Sequence, residues 1–328
     1  MEILLISIIL AGGIGSRFWP LSTPKNPKQF LPIFDDDKSL FDLAIERVEA
    51  LNSEEVLAVT GNKYSDFVKN YNITPLYEPF GRNTFGAFVL TIKYLFDNDK
   101  LDSPLIFLPS DHMILDKKRF SMDIEDAVIV VNNQDISVIL GVKPEYPETG
   151  YGYIKTSRTI NKNLYGVKGF KEKPNLQLAK YYLNIGGYFW NCGILITKAS
   201  ILLEEIKSRY KDIYDIILQN DYNYLIDNFN LIPNIPVEQA IIEKSRRIAM
   251  IEASFDWSDL GSWDSYFKFI KDSKSPNLIE HNSNNNHVLS TKKTILIDME
   301  GITVIESKNG LLVMKNDSYQ KLKDALME

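Results

Sequence analysis

The chain has 328 residues, enough for about two domains at roughly 150 residues each and for a core that needs no covalent staples. Hydrophobic residues make up 45% and charged residues 24%, an ordinary globular balance that excludes disordered and fibrous classes. The formal net charge of −6 provides no overall field for nucleic acid or an anionic membrane, and a single cysteine, Cys192, excludes an internal disulfide.

An anionic ligand must therefore meet a local cluster of Arg and Lys. The lone cysteine points to a reducing compartment, with the cytoplasm as default. Three histidines, of which only His112 lies outside the polar stretch near 280, leave little for a histidine-based metal site.

Ile3 to Ala11 is a continuous apolar run that could be taken for a signal-peptide core. Glu2 stands in front of it instead of a basic region, it is too short to span a bilayer, and it runs into glycines. It predicts a buried strand, Ile3 to Leu10. A helix follows from Leu40 to about Leu51, with Ser39 and Asp42 at capping-box spacing. Next come a strand at Val56 to Thr60, helices at Tyr64 to Asn70 and Asn83 to Phe96, and a strand at Leu105 to Leu108. A helix at Met122 to Val131 leads to a strand at Ser137 to Gly141. Alternating β and α with fully apolar strands predicts an α/β fold, a Rossmann-like sandwich with a mixed, mainly parallel sheet covered on both faces.

From about Gly150 the texture changes, within an expected insertion over about 142–200. Extended segments at Tyr151 to Thr156 and Tyr165 to Phe170, then a helix and a strand at Gly193 to Thr197, read as an insertion forming one wall of a cleft. Helices fill Ile201 to Phe229 and Val237 to Ser245. Ser273 to Asn286, polar and carrying Pro276, reads as a linker. Beyond it, short strands at Thr294 to Asp298, Thr303 to Glu306 and Leu311 to Lys315, turning at Glu300-Gly301 and Asn309-Gly310, precede a closing helix from Asp317 to Met327. The expected organisation is a domain over 1–272, a linker over 273–286 and a small β-rich C-terminal appendage over 287–328.

Leu10-Ala11-Gly12-Gly13-Ile14-Gly15-Ser16-Arg17-Phe18-Trp19-Pro20-Leu21 follows the first strand and continues to Pro27-Lys28-Gln29-Phe30. Glycines at the carboxyl end of a parallel strand let backbone N–H groups approach a phosphate, and Arg17 with Lys28 can neutralise a triphosphate. The dinucleotide fingerprint would need glycine at Phe18, and the Gly-Lys-Ser/Thr ending of a P-loop is absent. Prolines 20, 24, 27 and 32 prevent the helix that either motif requires there.

Gly-Gly-x-Gly-x-Arg, Trp-Pro-Leu-Ser and Pro-Lys-Gln-Phe closely resemble the signature of sugar-nucleotide pyrophosphorylases, and the last two resemble its mannose-1-phosphate guanylyltransferase branch. Further blocks recur in the same order: Glu78-Pro79-x-Gly81-Arg82-Asn83-Thr84, Leu108 to His112, Pro147 to Ile154, Phe170-x-Glu172-Lys173-Pro174, Trp190-Asn191-x-Gly193 and Trp257 to Trp263. Two departures stand out. Thr23 replaces an Arg common in the family, and Pro236-Val237-Glu238-Gln239-Ala240 replaces Ser-Ile-Asp-Tyr-Ala. The cupin-type isomerase domain of some longer relatives has no counterpart, which leads us to expect a monofunctional chain.

The resemblance implies a transferase that joins GTP and α-D-mannose 1-phosphate into GDP-mannose and pyrophosphate with Mg²⁺. It places the nucleotide at Leu10, Ala11, Gly12, Gly13, Gly15, Ser16, Glu78, Pro79, Gly81, Arg82, Asn83 and Ser110, with the Glu78 loop reading the base. It places the sugar at Gly152, Glu172, Asn191 and Gly261. Arg17, Lys28, Asp111, Lys173 and Asp259 carry the chemistry, and Asp111 with Asp259 hold the metal.

Read as residues, two carboxylates from distant positions suit Mg²⁺, which takes few protein oxygens and completes its octahedron with phosphate and water. Glu172 can accept from a sugar hydroxyl and Lys173 can neutralise the sugar phosphate; Asn191 offers both a donor and an acceptor. Two other readings stay open: a pyrophosphorylase for another nucleoside triphosphate and hexose 1-phosphate, or a non-catalytic regulatory paralogue that binds sugar nucleotide. A homodimer through exposed tail strands is also expected.

Overall fold

The computed structural model describes residues 5–32, 38–161, 163–269, 275, 277–316 and 318–326. Ile3, Ser273, Pro276, Asp317 and Met327, where expectations above begin or end, lie outside them. The chain divides into two compact units, each built from separated pieces of sequence.

The first unit comprises Met1–Gly12, Ala44–Ser110 and Ile114–Trp257. Its sheet holds β1 (Ile6–Leu10), β2 (Glu55–Gly61), β3 (Thr74–Glu78), β4 (Pro104–Pro109), β5 (Ser137–Val142), β6 (Tyr153–Asn161), β7 (Leu164–Lys171), β8 (Tyr188–Lys198) and β9 (Ile248–Glu252). The order is β3-β2-β1-β4-β8-β5-β9-β7-β6. Strands β3, β2, β1 and β4 run parallel, in the register that sets Leu10 beside Val59 and Pro109. Strand β8 enters antiparallel to both β4 and β5, so the insertion read from sequence is woven into the sheet.

Helix α1 (Leu40–Glu49) begins at the predicted capping box: Asp42 N–H donates to Ser39 Oγ, and Ser39 N–H donates back to Asp42 Oδ2. The other helices are α2 (Ser65–Val68), α3 (Asn83–Asp97), α4 (Lys117–Asn133), α5 (Leu176–Ile185), α6 (Ala199–Arg209), α7 (Lys211–Gln219), α8 (Tyr222–Asp227) and α9 (Val237–Ala240). Helix α3 is apolar on nearly every side and buried accordingly, its Phe88 ring stacked 3.9 Å from that of Phe107 on β4.

Strand β3 escaped sequence reading because Pro75 interrupts it. It sits at the sheet edge, where a missing N–H costs nothing.

The second unit comprises Gly13–Leu43, Asp111–Met113 and Ser258–Glu328. It carries short 3₁₀ turns at Ser16–Phe18 and Lys28–Phe30, then α10 (Trp263–Phe269), β10 (Leu278–His281), β11 (His287–Leu289), β12 (Thr294–Ile297), β13 (Ile302–Ser307), β14 (Gly310–Lys315) and α11 (Leu322–Ala325). Strand β10 lies inside the expected linker, paired in parallel with β12. Strand β11 pairs in parallel with β13, which forms an antiparallel hairpin with β14.

Phe18, Leu40, Met113, Leu260, Trp263, Ile305, Leu312 and Leu322 form one buried cluster. The tail closes only a small cluster of its own, around Val288, Leu296 and Val304, and through Ile305, Leu312 and Leu322 it shares the larger one with the loops around Arg17, Asp111 and Asp259. These unit boundaries cut across the 1–272, 273–286 and 287–328 division. Among the described residues, no helix is long and apolar enough to cross a membrane.

Candidate active site

In the first unit the parallel strands deliver three chain ends to one edge. Beyond β1, Ala11 N–H donates to Val59 O at 2.8 Å and Thr60 Oγ1 donates to Ala11 O at 2.9 Å; Ser110 N–H donates to Leu10 O at 3.0 Å. Leu10, Ala11 and Ser110 are thus fixed by the sheet, and Gly12 leaves it beside Glu78. A Cβ on Gly12 would stand 3.9 Å from Glu78 Oε2.

Glu78 ends β3 and is 7% exposed, and its Oε1 has no hydrogen-bond partner among the described residues. Burial pushes its pKa up to about 7. The loop that follows leaves Gly81 open, with no atom within 4 Å of where a Cβ would stand, and Phe80 exposed. The Arg82 guanidinium lies 5.3 Å from the centre of the Phe80 ring and donates to Asn230 O at 2.7 Å. Pro79 and Asn83 complete the loop, and Asn83 Oδ1 accepts from Thr84 N–H.

Of the residues expected at the sugar, Gly152, Glu172 and Asn191 come together in this unit. Asn191 N–H donates to Gly152 O at 2.8 Å. A Cβ on Gly152 would lie 2.8 Å from Glu172 Oε2 and 2.7 Å from Phe170 Cζ, so nothing larger than glycine fits. Glu172 is ion-paired with Lys173 at 2.5 Å, and the lysine side chain remains 60% exposed.

Sequence reasoning did not assign Glu238, which lies in the divergent Pro236–Ala240 segment. Burial, and then the nearby charge of Glu172, push its pKa up to about 7 against the opposing pull of Lys173. Glu243 adds a third carboxylate, accepting from Glu172 N–H at 3.1 Å. The signal in sequence was only that this segment departs from the family pattern.

The second unit holds the glycine loop. The Gly13, Ile14 and Gly15 carbonyls accept from Gln29 Nε2, Lys28 N–H and Ser22 Oγ respectively. Among the described residues, the N–H groups of Gly13, Ile14 and Gly15 donate to no protein acceptor. Successive open amides with their carbonyls tied down are the backbone arrangement that an anion-binding loop requires. Gly15 has φ +69°, and a Cβ there would lie 2.3 Å from Lys28 Cβ. Ser16 and Arg17 follow on the 3₁₀ turn, with Phe18 buried beneath them. The Arg17 guanidinium has no hydrogen bond or ion pair among the described residues.

Lys28 was expected to meet phosphate, and the structure gives it a different setting. It is 2% exposed, and its ammonium donates to Asp111 Oδ2 at 3.0 Å, to Asp111 O at 3.1 Å and to Asp259 O at 3.0 Å. Each of its three donors is used. The two aspartate loops are also tied by reciprocal backbone bonds between Met113 and Ser258, at 2.8 and 3.0 Å.

Burial opposes ionisation of Asp111, yet the charges of Lys28 and His112 outweigh it and hold its pKa below the usual carboxylate value. Gly261 N–H donates to Asp259 Oδ1 at 2.8 Å, and a Cβ on Gly261 would lie 2.3 Å from Asp259 Oδ2. The geometry therefore places Gly261 with Asp259, where it makes room for the carboxylate.

Among the described residues, no cluster of three or more His, Cys, Asp or Glu could hold a metal. A pair of aspartates matches the sparse oxygen set of Mg²⁺, not the fuller set of Ca²⁺ or zinc.

A family model described as "Nucleotidyl transferase" matches residues 6–275. The chain is 30% identical to mannose-1-phosphate guanylyltransferase 2 of Escherichia coli O157:H7, over 97% of this chain and 72% of the relative. It is 32% identical to a mannose-1-phosphate guanylyltransferase of Salmonella muenchen, with the same coverage of 97% and 72%. Among solved structures, that of a Thermus thermophilus protein described as mannose-1-phosphate geranyltransferase superposes with a TM-score of 0.86. At 24% identity, covering 99% of this chain and 98% of that one, it supports the α/β fold with its β-rich C-terminal region.

Proposed function

Because the chain belongs to the nucleotidyl transferase family and, within it, to the mannose-1-phosphate guanylyltransferases, we propose that it makes GDP-mannose and pyrophosphate from GTP and α-D-mannose 1-phosphate. The observation that carries the choice of base is Glu78, a buried carboxyl with an unpartnered oxygen at a strand end beside open backbone. Guanine presents two adjacent donors, N1–H and the N2 amino group, which match the two oxygens of one carboxylate. Uracil and thymine present a single N–H between carbonyl oxygens that a carboxylate repels. Leaving a buried acceptor unpaired penalises the wrong base.

The sugar phosphate is already an anionic nucleophile, so its attack on the α-phosphorus needs no general base. The barrier lies in bringing anions together in line. We assign the Gly13–Gly15 amides, Ser16 and Arg17 to the triphosphate, where fixed N–H groups and a free guanidinium stabilise charge that moves to the leaving pyrophosphate. Lys173 meets the phosphate of mannose 1-phosphate, Glu172 accepts from a hydroxyl, and Asn191 with the Gly152 backbone sets the pyranose. Lys28 holds the Asp111 and Asp259 loops in register.

Asp111 and Asp259 would hold Mg²⁺, which when bound neutralises phosphate oxygens as a Lewis acid. The same reading keeps the chain in the cytoplasm, testable by cell fractionation. It also pairs two copies through exposed Ile295, Ile297, Leu311 and Val313, testable by sedimentation.

The deciding experiment measures pyrophosphate release from GTP, ATP, UTP and dTTP, each with mannose 1-phosphate and glucose 1-phosphate. GTP with mannose 1-phosphate is expected to give the highest kcat/KM. Preference for UTP or dTTP with glucose 1-phosphate would reject the substrate pair and spare the fold. Binding of GDP-mannose without turnover would instead favour a regulatory paralogue.

A further inference from the structure

The hairpin joining β13 and β14 ends on the signature loop of its own unit. Ser307 Oγ and Asn309 Nδ2 both donate to the Pro20 carbonyl, at 2.7 and 2.9 Å. Trp263 Nε1 donates to the preceding carbonyl, Trp19 O, at 3.0 Å. Gly310, at φ +152°, lies so close to the Trp19 indole that a Cβ would stand 2.8 and 2.9 Å from two ring carbons.

Further into the loop, Leu21 N–H and Ser22 N–H both donate to Phe18 O, and Ser22 Oγ donates to Gly15 O at 2.6 Å. The hairpin thus holds the Pro20 carbonyl, and two residues along the backbone Ser22 holds the Gly15 carbonyl of the glycine loop. The 3₁₀ turn that carries Arg17 is three residues long and cannot hold its own conformation, so its orientation is set by what it is tied to.

We propose that Ser307, Asn309 and Gly310 are positioning residues for the phosphate-binding loop: the β13–β14 hairpin clamps Trp19 and Pro20 and so sets where Arg17 and the Gly13–Gly15 amides point. The proposal rests on assigning that loop to the triphosphate. It makes the C-terminal β segment part of the catalytic apparatus, since displacing a charge-stabilising group by about 1 Å costs up to roughly a hundredfold in rate.

The test uses the full chain carrying Ser307→Ala with Asn309→Ala, which removes both donors to Pro20. Amide hydrogen exchange should rise in the peptide spanning residues 13–23, and kcat/KM for GTP should fall about ten- to a hundredfold. The KM for mannose 1-phosphate should stay within about twofold, since Lys173 and Glu172 lie outside the clamped loop.

Ser307→Thr, which keeps the hydroxyl, should restore most of the loss relative to Ser307→Ala. Rates are normalised to the folded fraction measured by circular dichroism, and a loss that the unfolded fraction accounts for in full would overturn a positioning role. If the double variant fails to fold, Gly310→Ala perturbs the same contact through Trp19 and should give the same GTP-selective loss. Unchanged exchange in 13–23, or raised exchange with unchanged GTP kinetics, would also overturn the proposal. A wild type inactive with GTP and mannose 1-phosphate, but with the same exchange response, would reject the substrate reading and support the clamp.

Discussion

Glu78 and Asp259 carry the sharpest expectations at the scale of single residues. Burial has raised the Glu78 pKa to about 7, and a guanine base needs its carboxylate form. Below pH 7 the free enzyme holds the neutral acid, which presents one fewer acceptor. Thus kcat/KM for GTP should rise with pH through about 7 and level off above it. Glu78→Gln should flatten that rise and reduce kcat/KM for GTP about ten- to a hundredfold; an unchanged pH profile would place Glu78 outside the base site.

The aspartates separate more finely. Lys28 takes the Asp111 carboxylate but only the backbone carbonyl of Asp259. Asp259→Asn should lose activity by about two orders of magnitude or more, and excess Mn²⁺ or Mg²⁺ should recover part of it. Asp111→Asn should also lower Tm, because it leaves a buried ammonium without its counter-charge. A fully active Asp259→Asn protein would remove the shared-metal reading.

The elements were legible in proportion to how local their causes are. The capping box of α1 is written in two residues three apart, and both of its bonds form. Strands β1 and β4 are apolar but for Ser7 because both faces are covered, so a run of residues sufficed to find them. Strands β3, β9, β10 and β11 were missed. Each is short, and its ladder is made with a strand outside its own local window, for β9 with β5 across the helical region between them. In the candidate site, the motifs single out the glycine loop, Arg17 and the aspartates as residues, while the setting of Lys28 between the two aspartate loops could not be read from them. It depends on a carbonyl 231 residues away.

For the molecule as a whole, the consequential feature is that the second unit gathers three distant stretches of chain into one core. Ile305 is fully buried there, in the same cluster as Phe18, Leu260 and Trp263. Ile305→Ala should cost about 2–5 kcal/mol in chemical denaturation. It should also raise hydrogen exchange around Arg17 and Asp259 together with the tail. Exchange confined to 287–328 would show instead that the tail folds as a separate appendage.

The sequence by itself determined the fold class, because strand periodicity is a local property, and the family, because its ordered motif blocks can be read along the chain. Only the tertiary structure decided that Lys28 is a buried clamp and that Gly261 makes room for the Asp259 carboxylate. It also decided that Glu238 lies near the charge of Glu172, and that the tail shares a core with the loops around Arg17, Asp111 and Asp259. Those facts depend on which distant segments meet, and one sequence cannot state that, since close packing and hydrogen-bond satisfaction are settled only once the whole chain has folded.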